Sequence, residues 1–533
     1  MNDSTTLLLG GRVYTPSSPD ATAMAVSGGT VVWVGQDAPA RALHPDAEVV
    51  DLGGAFVAPA FVDAHVHATS TGLHLTGLDL TAVRSSAELL AAVREAVVPG
   101  QVLLAHGWDE SSWTEQRLPS RAELDDAAGD TPVYLSRVDV HSALVSSALV
   151  KLAPGVESAA GWSADGPLTR DAHHRVRGAV RDAVTRPQRQ AAQRAFLETA
   201  AARGIVSVHE CAGPDISGEE DFADLLALAD PSLPEVVGYW GELNGLETAR
   251  RLGAHGVAGD LFVDGALGSR TAALTSPYSD EPGTSGSLYA DAGVIADHLV
   301  ACTEAGLQAG FHVIGDAAVG EVVEGFRLAE KQVGQRSLAA CHHRLEHLEM
   351  VTAEQARALA GWGVVASVQP LFDEAWGGDS GMYSERLGAR ATALNPFAQL
   401  AAEGVVLAFG SDAPVCAVDP WAAVRAAVHH HTPEARLSAR AAFTAHTRAG
   451  HRAAGVNDGV TGSLVPGAPA HYAIWDAADL VVATADSRVQ RWSTDPRSGV
   501  PPLPRLEPGT PLPRCLRTVR GGTVIYDEFT PAA

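Results

Sequence analysis

Histidine and aspartate residues recur at the ends of apolar segments in this chain, at a spacing that suits metal binding. His65 and His67 close the segment FVDAHVH, and residues two apart on a strand point to the same face. His312, His347 and Asp412 stand near the ends of FHVIGD, HRLEHLE and AFGSDAP. Imidazoles and carboxylates are ligands of zinc, iron and manganese. Because burying four imidazoles and a carboxylate without a metal would be costly, the pattern predicts a divalent-metal site.

These polar residues end segments that are typical of buried parallel strands, and helical stretches separate the segments. Eight such strands are predicted: Phe61–His67, Ile205–Glu210, Glu235–Trp240, Gly259–Asp264, Gln308–Ile314, His343–Leu348, Gly363–Pro370 and Val405–Asp412. Eight alternating strand–helix units predict an α/β fold, a TIM-like (β/α)8 barrel. Such barrels carry their chemistry at the C-terminal ends of the strands, where the candidate ligands stand.

The remaining sequence predicts two additions to the barrel. LLLGGRVYTP near the start and LRTVRGGTVIYD near the end both have the strand, Gly-Gly, strand pattern of a hairpin. We therefore expect residues 1–58 and 456–533 to form one small β-sandwich domain around a barrel domain at 59–455. The long interval 68–200 after the first strand predicts an inserted subdomain that covers the site as a lid.

Composition narrows the class of partner. The 533 residues carry 38 Lys and Arg against 63 Asp and Glu, a formal charge of −25, which argues against nucleic acid and anionic membranes and favours a small-molecule substrate. The five cysteines form no CxxC pair, which predicts a reducing compartment. With neither a signal peptide nor an apolar run long enough to span a bilayer in this sequence, we expect a cytoplasmic protein.

The segment APAFVDAHVHA resembles the first-strand motif of the amidohydrolase superfamily, and His312, His347 and Asp412 follow in that superfamily's order. Nearly the whole chain resembles its family 3 branch, through segments that include HGWDESSW, DLFVDGALGSRTAAL, RLEHLEM and SLVPGAPAHYAIWD. The resemblance implies a barrel with a β-sandwich built from both termini, and a homodimer. It also implies one or two divalent ions, usually zinc, and hydrolysis of a carbon–nitrogen bond other than a peptide bond. Because the family includes deacylases and deformylases, an amide-like substrate with an N-acyl or N-formyl group is expected.

One position departs from the family pattern. Many relatives carry a carboxylated lysine on the fourth strand that bridges two metals, but this chain has Asp260 there, and neither of its two lysines lies on a predicted barrel strand. Three interpretations of this position are open. Asp260 bridges the metals directly, Asp264 takes the bridging role instead of Asp260, or Asp260 pairs with an arginine and touches no metal. The fourth interpretation, which we favour from sequence, is a single ion bound by the following residues: His65, His67 and Asp412, with help from His312.

The expected mechanism uses hydroxide formed from metal-bound water, whose pKa the ion lowers toward about 7. Asp412 accepts the water proton and later delivers it to the leaving nitrogen. His347 or His312 polarises the substrate carbonyl. Four further residues are predicted to bind substrate: Trp108, Asp109, His141 and Arg270. A loop-ordering salt bridge is an equally good interpretation of Arg270.

Several polar or aromatic residues near the predicted strand ends have both a structural and a functional interpretation. Asp316 caps the next helix or orients a ligand, and His209 and Glu210 face the pocket or make a structural hydrogen bond. Trp376 and Tyr383 line an apolar pocket or pack a loop. The run His429–His431 invites a metal interpretation, but consecutive helical residues diverge in direction, so we assign it to the surface or the pocket rim.

Two other functions compete with amide hydrolysis. A single-metal deaminase of a nucleobase-like ring suits the missing lysine, but such enzymes place a glutamate three residues after the fifth-strand histidine, where this chain has Gly315. Ammonia release from nucleobases would reveal it. A degenerate member that only binds a ligand is supported by Asp260 alone, and a chain that takes up no metal would favour it.

Overall fold

A computed structural model of the protein describes residues 5–113, 115, 117–138, 142–214, 216–482 and 501–530. Contacts divide the chain into two compact units, one of residues 1–67 with 197–533 and one of residues 68–196. Within the described ranges, no helix has both the length and the apolar character that a membrane crossing requires.

The first unit contains eight parallel strands that neighbour one another in chain order. They are β1 (Phe61–Val66), β2 (Ile205–Ala212), β3 (Glu235–Trp240), β4 (Gly256–Val257), β5 (Gln308–Val313), β6 (Arg344–His347), β7 (Val365–Val368) and β8 (Val406–Phe409). Val66 pairs with Ala413, just beyond β8, and so brings the two ends of the sheet together. The predicted TIM-like barrel is confirmed.

The strands are apolar because helices pack on their outer face and the side chains of the barrel interior pack on their inner face. All residues of β1, β2 and β5 are buried, as expected of parallel strands covered on both faces. The helices of this unit are Asp37–Leu43, Glu219–Ala227, Leu246–Leu252, Ala292–Glu304, Asp316–Val333, Gln335–Cys341, Ala353–Gly361, Pro370–Trp376, Met382–Leu387, Phe397–Ala402, Pro420–Val428, Ala439–Ala445 and Arg448–Ala453, with 3-10 turns at Gly388–Ala393 and Pro433–Ala435. Side-chain caps fix several of their starts: Asp419, for example, accepts from the Ala422 N–H at 3.0 Å.

The predicted fourth strand, Gly259–Asp264, is wrong in position. The strand lies earlier, at Gly256–Val257, and the chain leaves it at Gly259, whose φ of +92° is open mainly to glycine. Beyond that turn, Phe262 makes a single bridge to His312 on β5. Asp260 therefore lies past the end of β4, on irregular backbone.

Strands from the two chain ends share one sheet of the first unit. Its order is Arg12–Val13, Phe56–Pro59, Tyr472–Asp476, Arg514–Arg520 and Thr523–Asp527. A second sheet has the order Thr30–Gly35, Ala23–Ser27, Thr6–Leu9 and Glu48–Asp51, and a short pair joins Leu480–Val481 to Leu503–Pro504. Leu8, Met24, Val57, Ile474 and Val519 form part of one apolar core. Both ends of the chain thus contribute to the same hydrophobic cluster.

The second unit has its own five-stranded sheet. Its order is Leu168–Thr169, Ser142–Val145, Val133–Arg137, Leu103–Trp108 and Leu78–Asp79. The helices that belong to it are Ala68–Thr76, Ser86–Ala96, Arg121–Ala128, Ser147–Lys151 and Arg170–Ala183, with 3-10 turns at Glu110–Ser112 and Val156–Ser158. Helix Arg186–Ala202 begins in this unit and ends in the first. The lid role expected for the insert stays a prediction.

Candidate metal centre

Four imidazoles and two carboxylates converge where the barrel strands end. His65 and His67 leave the end of β1, and Asp412 follows β8. Asp412 Oδ1 lies 3.4 Å from His65 Nε2 and 3.1 Å from His67 Nε2. Ligand atoms bound about 2.0–2.2 Å from a tetrahedral ion lie about 3.3–3.6 Å apart, which is close to the two distances from Asp412. All three ligand atoms lie within 4.8 Å of one another. Imidazoles and carboxylates in that arrangement suit zinc, iron or manganese.

Asp260 lies at the centre of the cluster. Its Oδ1 atom is 3.5 Å from His65 Nε2, 3.7 Å from His312 Nδ1 and 4.0 Å from His347 Nε2. Its Oδ2 atom is 3.3 Å from His67 Nε2. One carboxylate thus faces all four imidazoles, and its two oxygens face different ones. This arrangement would let the Asp260 carboxylate contact one ion or two.

The structure contradicts two other interpretations of the acidic residues Asp260 and Asp264. Among the described residues the partners of the Asp260 carboxylate are imidazoles, so the arginine pairing considered from sequence is wrong. Asp264 does not replace Asp260, because backbone groups occupy its carboxylate. It accepts from the N–H groups of Ile314 at 3.0 Å, Ala273 at 2.9 Å and Gly315 at 2.8 Å. Asp264 therefore holds the turn after β5.

Hydrogen bonds on the far side of three imidazoles set which nitrogen faces the centre. His65 Nδ1 donates to Glu346 Oε2 at 2.9 Å, His347 Nδ1 to Gln369 Oε1 at 2.8 Å, and His312 Nε2 to the Gly265 carbonyl at 3.2 Å. Each acceptor fixes the tautomer and leaves the opposite nitrogen with a lone pair toward Asp260. Among the described residues, His65 Nε2, His312 Nδ1 and Asp260 Oδ1 are buried without a hydrogen-bond partner. Unpartnered buried acceptors that face one point fit a cation.

The charges of the cluster favour a cation too. Burial lowers the pKa of His67, but Asp260 and Asp412 more than offset this and raise it well above its ordinary value. Burial would raise the pKa of Asp260, but the neighbouring imidazoles lower it well below its usual range. Burial, helped by the nearby His312, lowers the pKa of His347 to about 4, so this ring is neutral and ready to ligate. Protons that the carboxylates attract to the imidazoles would be released when a metal ion binds.

Two site residues have positive φ angles, and the backbones of β1 and of the segment after β8 approach closely at Gly410. His347 has φ +70° and Asp412 has φ +54°, values that cost free energy in residues other than glycine. The Asp412 N–H donates to the His65 carbonyl at 2.8 Å and thereby places the carboxylate beside its partner ring. A Cβ at Gly410 would come within 2.5 Å of the His65 backbone nitrogen, so this close approach of β8 to β1 requires glycine.

A buried ion pair that the sequence analysis missed supports His65. Arg344 and Glu346 are both fully buried, with Nε to Oε1 at 2.5 Å and Nη2 to Oε2 at 3.0 Å. The Arg344 guanidinium lies 4.2 Å from the centre of the Tyr239 ring, and its Nη1 donates to His209 Nδ1 at 3.2 Å. The available signal was two opposite charges two residues apart on a strand predicted to be buried, because buried charges are nearly always paired.

Replacing Glu346 with Gln should weaken metal binding by about 10–100-fold, the usual cost of losing an outer partner of a ligand histidine. It should also lower the free energy of unfolding by about 3–5 kcal/mol, because Arg344 keeps a buried charge without a counter-ion. Chelator competition and urea unfolding measure the two effects.

Glu403→Gln is the matched control. Glu403 pairs with Arg357 through two 2.9 Å contacts, but that arginine side chain is 68% exposed. An exposed pair contributes about 0–1 kcal/mol, so this variant should bind metal normally. Equal effects of the two substitutions would contradict the role assigned to Glu346.

The residues predicted to bind substrate lie in varied surroundings. Trp108 is fully buried in the second unit's core, and its indole donates to the Leu135 carbonyl at 2.8 Å. Asp109 caps a 3-10 turn and pairs with Arg137 at 3.0 Å. Arg270 pairs with Asp280 at 2.6 Å, as in the salt-bridge interpretation. His141 lies outside the described residues. Substrate binding by these four stays a prediction.

Two other acidic or aromatic features near the strand ends have clear contacts. Asp316 accepts from the Thr275 N–H at 2.9 Å and so fixes the loop after Asp264.

Aromatic residues pack beside the His347 ring. Phe372 stacks on this ring with centroids 5.9 Å apart and 10° between planes. Trp376 contacts Phe372 at 4.7 Å, and Tyr383 contacts Trp376 at 6.1 Å. These aromatic residues belong to a buried apolar cluster that begins beside a candidate ligand, and of the three only Trp376 is partly exposed.

An α/β barrel with clustered imidazoles and carboxylates at its strand ends defines the class of metal-dependent barrel hydrolases. The chain belongs to the amidohydrolase family, whose model matches residues 48–526. The relatives include Protein LONG AFTER FAR-RED 3 of Arabidopsis thaliana, 29% identical with 88% of each chain covered, and N-substituted formamide deformylase of Arthrobacter pascens, 24% identical with 88% of this chain and 92% of the relative covered. A solved structure of an uncharacterized metal-dependent hydrolase from Pyrococcus furiosus aligns with a TM-score of 0.76 at 26% identity, over 89% of this chain and 99% of that one.

Proposed function

We propose that the protein hydrolyses the carbon–nitrogen bond of an amide-like small molecule, N-acyl or N-formyl, with divalent ions, usually zinc, held by the six-residue cluster. The observation that carries the proposal is the convergence of four imidazoles on the Asp260 carboxylate. The Arthrobacter pascens relative, named for N-substituted formamides, supports the choice of bond.

Two groups of candidate ligands meet in the cluster and share His65. His65, His67 and Asp412 form one group of ligand atoms close enough to share an ion, and His65, Asp260 and His347 form another. The Asp260 carboxylate also faces His67 and His312. When bound, such ions supply Lewis-acid activation of water and of the substrate carbonyl.

The chain's own residues move the protons and orient the substrate. Asp412 Oδ1 sits among the imidazoles of β1, within reach of any water held there, and accepts its proton. Trp376, the partly exposed aromatic residue packed on Phe372, offers an apolar surface for the substituent on the substrate nitrogen or acyl group. The expected substrate is therefore an uncharged amide with an apolar or aromatic substituent.

A deaminase has less support from the site. Gly315 stands where deaminases carry glutamate, and its N–H donates to Asp264. The next acid, Asp316, is held by Thr275. No described residue of the turn after β5 thus offers a carboxylate for attack on a ring amine.

The test combines metal analysis with a substrate panel. Protein purified without chelator should contain one to two equivalents of metal, and it should cleave N-formyl and N-acyl derivatives of benzylamine and aniline. Dialysis against a chelator should abolish cleavage, and added zinc or manganese should restore it. Ammonia release from cytosine, adenosine or guanine without amide cleavage would favour the deaminase. A protein that takes up no metal on soaking would overturn the hydrolase.

A further inference from the structure

A phenylalanine that the sequence analysis did not single out lies directly against the candidate metal centre. The Phe262 ring packs on the His312 imidazole, with centroids 4.7 Å apart and 54° between planes. His312 packs in turn on His347 with ring centroids 4.5 Å apart, and its Nδ1 atom faces Asp260 Oδ1 at 3.7 Å. Phe262 is therefore in contact with one of the four converging imidazoles.

Two backbone hydrogen bonds fix the position of Phe262 beside β5. The His312 N–H donates to the Leu261 carbonyl at 2.9 Å, and the Val263 N–H donates to the His312 carbonyl at 3.0 Å. These bonds make Phe262 and His312 a parallel bridge pair, and residues paired in this way place their side chains on the same face. The Phe262 ring is thus held on the side of the candidate centre, and it needs little reordering to bind a ligand.

Phe262 is partly exposed, unlike the other phenylalanine that packs on a candidate ligand. Phe372, which stacks on His347, is 4% exposed and so presents almost no surface to a bound molecule. The side chains of His67 and Asp412 are 12% and 10% exposed, so solvent reaches the centre itself. A molecule that places its reacting group at the centre can therefore also contact the Phe262 ring.

We propose that Phe262 is a specificity-determining residue that binds an apolar or aromatic substituent of the substrate; this rests on the proposed amide hydrolysis. Aromatic rings attract one another at centroid separations of about 4.5–7 Å, beyond the gain from burial alone. Because Phe262 contacts a candidate ligand, a ring attached closely to the reacting amide lies within its reach. Phe262 exchanges no proton, so it acts on substrate binding and leaves the chemical step to the other residues.

Phe262→Leu tests the proposal, because leucine keeps an apolar side chain on the His312 ring but removes the aromatic face. Two substrates carry a ring: N-formylbenzylamine on the amine side, and the N-methylamide of phenylacetic acid on the acyl side. On at least one of them KM should rise by about 3–10-fold while kcat changes by less than about twofold. The substrate whose KM rises shows which side of the amide Phe262 binds. N-methylformamide, which has no ring, should be cleaved with unchanged kcat/KM.

Two further variants separate binding from folding. Phe262→Tyr keeps the ring and should retain the native KM values. Phe529→Leu is the matched control: Phe529 is also partly buried, but it packs on the apolar core that both chain ends share, with the Arg517 guanidinium 5.1 Å from its ring. It should leave every substrate unchanged.

The outcomes that would overturn the proposal are distinct from failure of the proposed function. Equal losses of Phe262→Leu on substrates with and without a ring, or no loss on either substrate with a ring, would remove the specificity role. A lower metal content in Phe262→Leu would mean that Phe262 only positions His312, and would overturn the proposal as well. If the native protein cleaves none of the three amides, the proposed amide hydrolysis fails first.

Discussion

Asp412→Asn is expected to lower kcat on the amide substrate by about 1,000-fold, within the range that a positioned acid–base group contributes. Burial would raise the pKa of Asp412, but the imidazoles of His65 and His67 lower it below its ordinary value, so the group is a carboxylate at neutral pH. An asparagine keeps an oxygen for the ion but accepts no proton from water. Steady-state kinetics together with the metal content per chain measure the outcome.

The metal content decides what a loss of activity means. If the variant loses its ion as well as its activity, Asp412 acts chiefly as a ligand, and proton transfer belongs elsewhere. Unchanged kcat would contradict both roles. Asp419→Asn is the matched control: Asp419 caps helix Pro420–Val428, and asparagine caps nearly as well, so metal content and kcat should stay normal.

Spacing alone was enough to predict much of the site. His65 and His67 lie two apart on a strand, and in a parallel barrel all strand ends of one kind meet at the same mouth. The convergence of His312, His347 and Asp412 with these two histidines therefore follows from the two-residue repeat of a strand and from the parallel arrangement of the barrel strands. Seven of the eight strands lie where their apolar runs predict.

The position of Asp260 could not be predicted in the same way. The alternation of side chains between the two faces of a strand predicts their direction only while the strand continues. Strand β4 ends at Val257, before the positive φ of Gly259 turns the chain. The direction of the Asp260 side chain is then set by contacts with β1, β5 and β6. The Glu346–His65 hydrogen bond joins residues 281 positions apart, so no local pattern reports it.

Asp260→Asn should weaken binding of at least one ion by more than about 100-fold, beyond the 10–100-fold cost typical of outer partners. The substitution keeps the size of the side chain but removes the charge that faces four imidazoles. Two equivalents of metal in the native protein should fall to one or none, with a matching loss of kcat. Metal analysis after gel filtration measures this. One equivalent in both proteins would support the single-ion arrangement expected from sequence and contradict the bridge.

Because Asp260 supplies a carboxylate directly, we expect that assembly of the metal centre does not require carbon dioxide. A lysine bridge must first be carboxylated, whereas Asp260 is an acid already and lies between the imidazoles without modification. Metal-free protein reloaded in degassed, bicarbonate-free buffer should therefore recover the same metal content and activity as protein reloaded with bicarbonate. A requirement for bicarbonate would mean that a carbamate forms on a lysine after all, and that Asp260 is not the bridging group. Because the readout is metal content as well as rate, the result separates assembly of the centre from the chemistry it performs.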